Sequence, residues 1–195
     1  MMSPAPRFLI SIAWIAILIV WLIGATNSKP TVRKQSLSSR VLQSALFGSS
    51  FVLLFNMLYN RRLRLGPLAV RFLPDSGTAA YAGLILTIAG VAFAIWARLR
   101  LGRNWSGTVT LKQNHQLIRT GPYALVRHPI YTGLLLAMLG TAVEIGKFGG
   151  LLAVAVAFIG LQWKVRDEEA FMTEQFGAEY LRYKSEVKAL IPGIV

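Results

Sequence analysis

Five runs of apolar residues, each close to the length that crosses a lipid bilayer, limit what this chain can become. They are Phe8 to Ala25, Val41 to Tyr59, Ala79 to Ala97, Pro129 to Ile145 and Phe148 to Trp163. A hydrocarbon layer about 30 Å thick takes roughly 20 helical residues. With 54% hydrophobic residues and a mean hydropathy of +0.52, the chain is more apolar than soluble proteins of its size. The reading is an all-α, polytopic integral membrane protein with about five transmembrane helices. It forms one membrane domain, residues 1–195, with a three-span part at 1–97 and a second part at 98–195.

The first run resembles a signal peptide in position only. Its length, Trp14 and Trp21, and the lack of a small-residue cleavage site argue for a retained helix. Gln43 and Asn56 in the second run are expected to face other helices. Gly83 and Gly90 fall on one face of the third, and Gly133, Ala137 and Gly140 on one face of the fourth, which allows close helix packing. The fourth and fifth runs are short for a crossing and are joined by Gly146-Lys147, so they read as a tight helical hairpin. Lys164 to Val187 holds six of the eight acidic residues. There Phe176, Tyr180, Tyr183 and Val187 recur at helical steps, which predicts an amphipathic helix on the membrane or on the protein. Gly177 interrupts it and Pro192 ends it.

The chain has no cysteine, which excludes disulfides, thiol catalysis and cysteine-ligated metals. The net charge of +13 reads as loop charge facing an anionic leaflet and not as a nucleic-acid surface. One set of loops, 26–40 and 98–128 with the C-terminal tail, carries fifteen Lys and Arg against six on the other. The positive-inside rule then puts the N terminus outside and both polar segments in the cytoplasm. The short N-terminal half and the absence of a targeting signal give the expectation of a bacterial or archaeal cell membrane. Nothing in the sequence sets an oligomeric state.

The densest stretch is Arg119 to Gly133, RTGPYALVRHPIYTG. Gly121-Pro122 signals a turn, and Pro129 suits the first position of a helix. His128 then sits at a helix N-terminus beside Arg127, Tyr123 and Tyr131, a place that suits an anionic ligand. The hairpin brings Lys164, Arg166, Glu168 and Glu169 to the same end. His115 and His128 stand thirteen residues apart with no known ligand spacing, so no metal site is expected.

Gly121-Pro122-Tyr123, Arg127-His128-Pro129, Tyr131 and Gly133 resemble the GPYxxxRHPxYxG signature of the isoprenylcysteine carboxyl methyltransferase family, whose relatives include phospholipid N-methyltransferases. Glu168-Glu169, Phe176-Gly177, Tyr180, Tyr183 and Ile191-Pro192 resemble that family's ending, and Leu101 to Ser106 and His115 to Ile118 also fit. The resemblance covers residues 98 to 192. It implies methyl transfer from S-adenosyl-L-methionine, held in a cytoplasm-facing pocket under the C-terminal helix. His115, Leu117, Ile118, Tyr123, His128, Pro129 and Tyr131 would line that pocket, and Glu168 would hold a cofactor hydroxyl or amino group. The resemblance also implies a base one turn before that glutamate that holds the acceptor: Lys164 here, with Arg166 two residues on. The namesake acceptor is the carboxylate of a prenylated cysteine, reached from the bilayer. A phospholipid or other amphiphilic amine is the alternative, and it would need His128 or a glutamate as a base. A membrane NADPH-dependent reductase of the sterol type shares the C-terminal layout and stands as a further alternative. A non-enzymatic membrane protein with a basic anchor would bind no cofactor.

Overall fold

The computed structural model describes residues 5–26, 31–34, 36–60, 66–102, 105, 110–112 and 117–193. Six helices account for most of them: α1 (Ala5–Thr26), α2 (Leu37–Tyr59), α3 (Gly77–Leu101), α4 (Pro129–Ile145), α5 (Phe148–Phe176) and α6 (Ala178–Glu186). Helices α1, α2, α3 and α5 are long and apolar enough to cross a membrane, and α4 is a shorter apolar helix. Ser36 and Ser76 cap α2 and α3, each hydroxyl accepting an N–H three residues on, the usual remedy for unpaired donors at a helix start. A short antiparallel ribbon joins β1 (Thr31–Lys34) to β2 (Thr110–Lys112). Both polar segments therefore meet at one end of the bundle.

The closest packing lies between α3 and α4, along the two small-residue faces. A Cβ at Gly90 would lie 2.3 Å from the amide nitrogen of Ala137, and one at Gly140 would lie 2.4 Å from that of Thr87. Gly83 and Gly133 leave as little room. In lipid, helices gain little from burying apolar surface against each other, so backbone approach through small residues supplies the attraction. Polar groups bridge the same seam. Thr87 Oγ1 donates to Gly83 O at 2.8 Å and lies 3.3 Å from Thr141 Oγ1, which accepts Trp14 Nε1–H of α1 at 3.1 Å. The hairpin of α4 and α5 forms at Gly146, which is left-handed at φ 65°. Yet α4 is seated more on α3, the helix before it, than on its hairpin partner α5.

Helix α1 is tied down at both ends. Arg7 Nε donates to Glu144 Oε1 at 2.6 Å, and the Glu144 side chain is 1% exposed. At the other end Trp21 meets Trp105 edge-on, and Arg98 occupies the notch at Gly24, where a Cβ would fall 2.1 Å from Nη2.

Three expectations change. The fifth span does not stop at Trp163: α5 runs unbroken for 29 residues to Phe176, because nothing between Lys164 and Gln175 breaks a helix. Lys164 to Val187 is therefore the end of a span followed by a separate nine-residue helix. The break is at Gly177, whose φ of 51° suits glycine, and α6 ends at Glu186, well short of Pro192. Asn56 is exposed and bonds its own helix at Val52 O, whereas Gln43 is buried and donates to Asp167 Oδ2 of α5 at 2.8 Å.

Candidate functional site

The site is built on the turn before α4. Gly121, at φ 65°, opens a short 3-10 helix, Gly121–Ala124, with Pro122 inside it. Pro129 begins α4, and the His128 carbonyl accepts the N–H groups of Tyr131 and Thr132. The His128 side chain makes no capping bond, so its ring is available to α5. The tail after α6 runs alongside: Arg127 and His128 donate their N–H groups to Lys188 O and Ala189 O at 2.8 and 2.9 Å, and Thr132 Oγ1 donates to Leu190 O at 2.7 Å. Tyr180 and Tyr183 are buried, placing α6 on the protein.

Helix α5 then brings two carboxylates to the ring. His128 Nδ1 lies 3.4 Å from Glu168 Oε2, and Nε2 lies 3.4 Å from Glu169 Oε1. The ring stacks on Tyr131 at 5.6 Å, with 3° between planes. Tyr131 in turn donates its hydroxyl to Glu168 Oε1 at 2.5 Å. Glu169 is held more heavily: Arg127 donates from Nε at 2.9 Å and from Nη2 at 2.6 Å, and Lys184 Nζ reaches Oε2 at 2.7 Å. Arg127 Nη1 also donates to the carbonyls of Lys184 and Val187. Burial works against a charged His128, but the hydrogen bonds and charges of Glu168 and Glu169 outweigh it and raise the imidazole above its ordinary value. Burial pushes the Tyr183 hydroxyl up to about 12, and burial with the Glu168 charge raises Tyr123. These phenols stay neutral donors at pH 7.

The N–H groups of Arg127 and His128 are taken by the tail and so are not open to the anionic ligand expected at this helix start. Two carboxylates flank the ring, with Arg127 and Lys184 paired to Glu169. Lys164 reaches the site, with Nζ 5.5 Å from the Tyr131 ring centre. Arg166 does not: two residues further round α5, it is exposed, since two helical steps carry a side chain to the opposite face. Tyr123 is buried with its hydroxyl 3.4 Å from Ala97 O. Pro129 is buried, Leu117 and Ile118 are half-buried, and Ile118 packs on the main core. His115 lies outside the described residues. Among the described residues, no cluster of three or more His, Cys, Asp or Glu side chains could hold a metal ion. Sequence reasoning missed the roles of Glu169 and Arg127 as one unit and had no signal at all for Lys184, which only the fold of α6 brings in.

The family model described as phospholipid methyltransferase matches residues 78–179, just over half of the chain. The protein-S-isoprenylcysteine O-methyltransferase of Schizosaccharomyces pombe is 35% identical over 99 residues, covering 49% of this chain and 42% of that protein. Protein-S-isoprenylcysteine O-methyltransferase A of Arabidopsis thaliana is 32% identical over 117 residues, covering 56% and 57%. The chain thus spans about half the length of the curated relatives it matches. These relatives are eukaryotic and lend no support to the bacterial or archaeal expectation. A solved structure, the eukaryotic intramembrane Ras methyltransferase described as isoprenylcysteine carboxyl methyltransferase, superposes with a TM-score of 0.56 at 23% identity. The match covers 82% of this chain and 54% of that one, and at this identity the likeness is one of fold.

Proposed function

The chain belongs to the phospholipid methyltransferase family, and from that premise we propose that it is an integral membrane S-adenosylmethionine-dependent methyltransferase whose acceptor is the carboxylate of an isoprenylcysteine-like amphiphile. The residues present fit the cofactor: the Glu168 carboxylate and two stacked aromatic rings suit a sulfonium cation and its hydroxyl and amino donors. Bound there, it supplies a methyl group that is already activated.

The observation that carries the choice of acceptor is that no base at the site is idle. Both ring nitrogens of His128 face carboxylate oxygens, Glu168 also takes the Tyr131 hydroxyl, and Glu169 takes Arg127 and Lys184. An amine acceptor must lose a proton before it attacks, and these groups are poorly placed to take one. A carboxylate is already a nucleophile at pH 7. Its oxygen forms the new C–O bond while the C–S bond breaks and the electron pair returns to sulfur, and no proton moves. Lys164, at the membrane edge of the site, orients the acceptor's negative charge. The remaining residues position the reactants and exclude water. In this reading the tail of the acceptor enters from the bilayer, and the site faces the basic, cytoplasmic side.

The test uses purified protein in detergent. S-adenosylhomocysteine should bind with micromolar affinity and NADPH should not, and Glu168→Ala should lose the binding. Transfer of labelled methyl to an S-farnesyl cysteine derivative, and not to phosphatidylethanolamine, should follow. Binding of NADPH in place of S-adenosylhomocysteine would refute the methyl-transfer reading. Labelling of the lipid amine alone would refute the carboxylate acceptor.

A further inference from the structure

The two adjacent carboxylates of α5 are used differently. Successive side chains on a helix point about 100° apart, so Glu168 faces α4 while Glu169 faces the 121–128 turn and α6. The Glu168 side chain is 22% exposed, and its oxygens meet the Tyr131 phenol and the His128 ring, with the Lys164 charge nearby. The Glu169 side chain is 9% exposed, with a guanidinium on one oxygen and an ammonium on the other. Two Arg127 donors and the His128 ring crowd Glu169 Oε1, and Lys184 sits on Oε2. Fewer of its acceptor lobes are therefore open to a ligand than on Glu168, where one oxygen meets the phenol and the other the ring.

We propose that Glu169 is a positioning residue: gripped by Arg127 and Lys184, it fixes the His128 ring and leaves Glu168 as the carboxylate presented to the ligand. The inference rests on the cofactor reading given above. The same grip seats the tail, because Arg127 also donates to the carbonyls of Lys184 and Val187. The charged and titratable groups around the ring are Arg127 on its own turn, Tyr131 on α4, Lys164, Glu168 and Glu169 on α5, and Lys184 and Tyr180 on α6. Without Glu169 the two cations Arg127 and Lys184 are left uncompensated beside the ring, and Glu168, on the other nitrogen of that ring, is a carboxylate for them to draw on. Both changes disfavour a charged His128 and draw Glu168 away from its ligand.

The chain holds two histidines, so the protein labelled with nitrogen-15 histidine gives two imidazoles, and His128→Gln assigns them. In the unliganded wild type His128 should titrate above the free imidazole value of about 6.5, and in Glu169→Gln the midpoint should move down. Affinity for S-adenosylhomocysteine should fall about tenfold in the same variant, the usual cost of losing a partner that orients a ligand group. A His128 midpoint unchanged by Glu169→Gln would overturn the proposal, as would unchanged affinity. If the glutamine variant does not fold, Glu169→Asp, which keeps the charge but draws it back from the ring, is judged by the same two readings. A wild type that binds no S-adenosylhomocysteine defeats the functional reading, and the titration then decides the role of Glu169 alone.

Discussion

Replacing Gly90 by alanine tests the seam on which the site is mounted. The new Cβ would stand 2.3 Å from Ala137 N and 2.6 Å from Gly133 O. Both atoms are backbone, so neither can turn aside, and the helices must part by about 1 Å to restore ordinary contact near 3.5 Å. Overpacking of this kind costs about 1–3 kcal/mol, and the upper end applies because the shift also loosens Gly83 against Gly140 and Thr87 against Thr141. Alanine returns about 1 kcal/mol through its better helix propensity, leaving a net loss of about 2 kcal/mol. For a chain of this length that is roughly 4–8 °C in melting temperature. The assay is thermal unfolding in one detergent at a fixed scan rate, since membrane proteins often unfold irreversibly. Gly48→Ala on α2 is the control, because a Cβ there meets nothing within 4 Å, and it should melt at or above the wild-type temperature. Since α4 begins at the His128 turn, Gly90→Ala should also weaken S-adenosylhomocysteine binding while Gly48→Ala does not. Equal melting temperatures for the two variants would refute the argument from backbone proximity.

Other perturbations follow from single contacts. Arg7→Met should destabilise by about 3–5 kcal/mol, because it leaves the buried Glu144 carboxylate unpaired; the double change with Glu144→Met should recover most of the loss in the same melt. Gly177→Ala should cost about 1 kcal/mol through its left-handed φ alone, since a Cβ there meets nothing, and amide exchange in α6 should quicken. His128 has a raised folded-state pKa, so its contribution to stability is complete below the unfolded imidazole pKa of about 6.5 and is lost as pH rises through the folded value. The wild-type melting temperature should therefore fall on the alkaline side, in a step that His128→Gln lacks.

The helices themselves were legible because lipid admits so few backbone solutions that apolar length nearly decides them. The small-residue faces of α3 and α4 were legible too, as glycines and alanines at helical spacing. That these two faces meet each other was not, because nothing local to Gly83 or Gly133 names its partner across the bundle. The meeting of His128 with Glu168 and Glu169 could be read from the turn at Gly146-Lys147, which returns α5 to the level where α4 began. The same logic misplaced Arg166, since arriving at the right height does not fix the side of a helix, and two residues' rotation turned it outward. The end of the fifth span was misjudged for a related reason. Charged residues from Lys164 onward mark where the surroundings become polar, and a helix propagates across that boundary as long as no residue stops it. Lys184 was invisible because its place depends on the direction the chain takes after Gly177.

The ion pair between Arg7 and Glu144 has a consequence for how the protein is made. Its members are separated by 137 positions along the chain. At a synthesis rate of about 5–20 residues per second, Arg7 waits roughly 7–27 seconds before its carboxylate partner has been translated. Throughout that interval Arg7 must stay at the lipid headgroups, where phosphates can serve it, while the rest of α1 already has Phe51 and Phe55 of α2 and Arg98 of α3 to pack against. The emergence of α4 then completes the seam with α3 and supplies Glu144 in the same event, so the Arg7 end of α1 is fastened later than the end that meets Arg98.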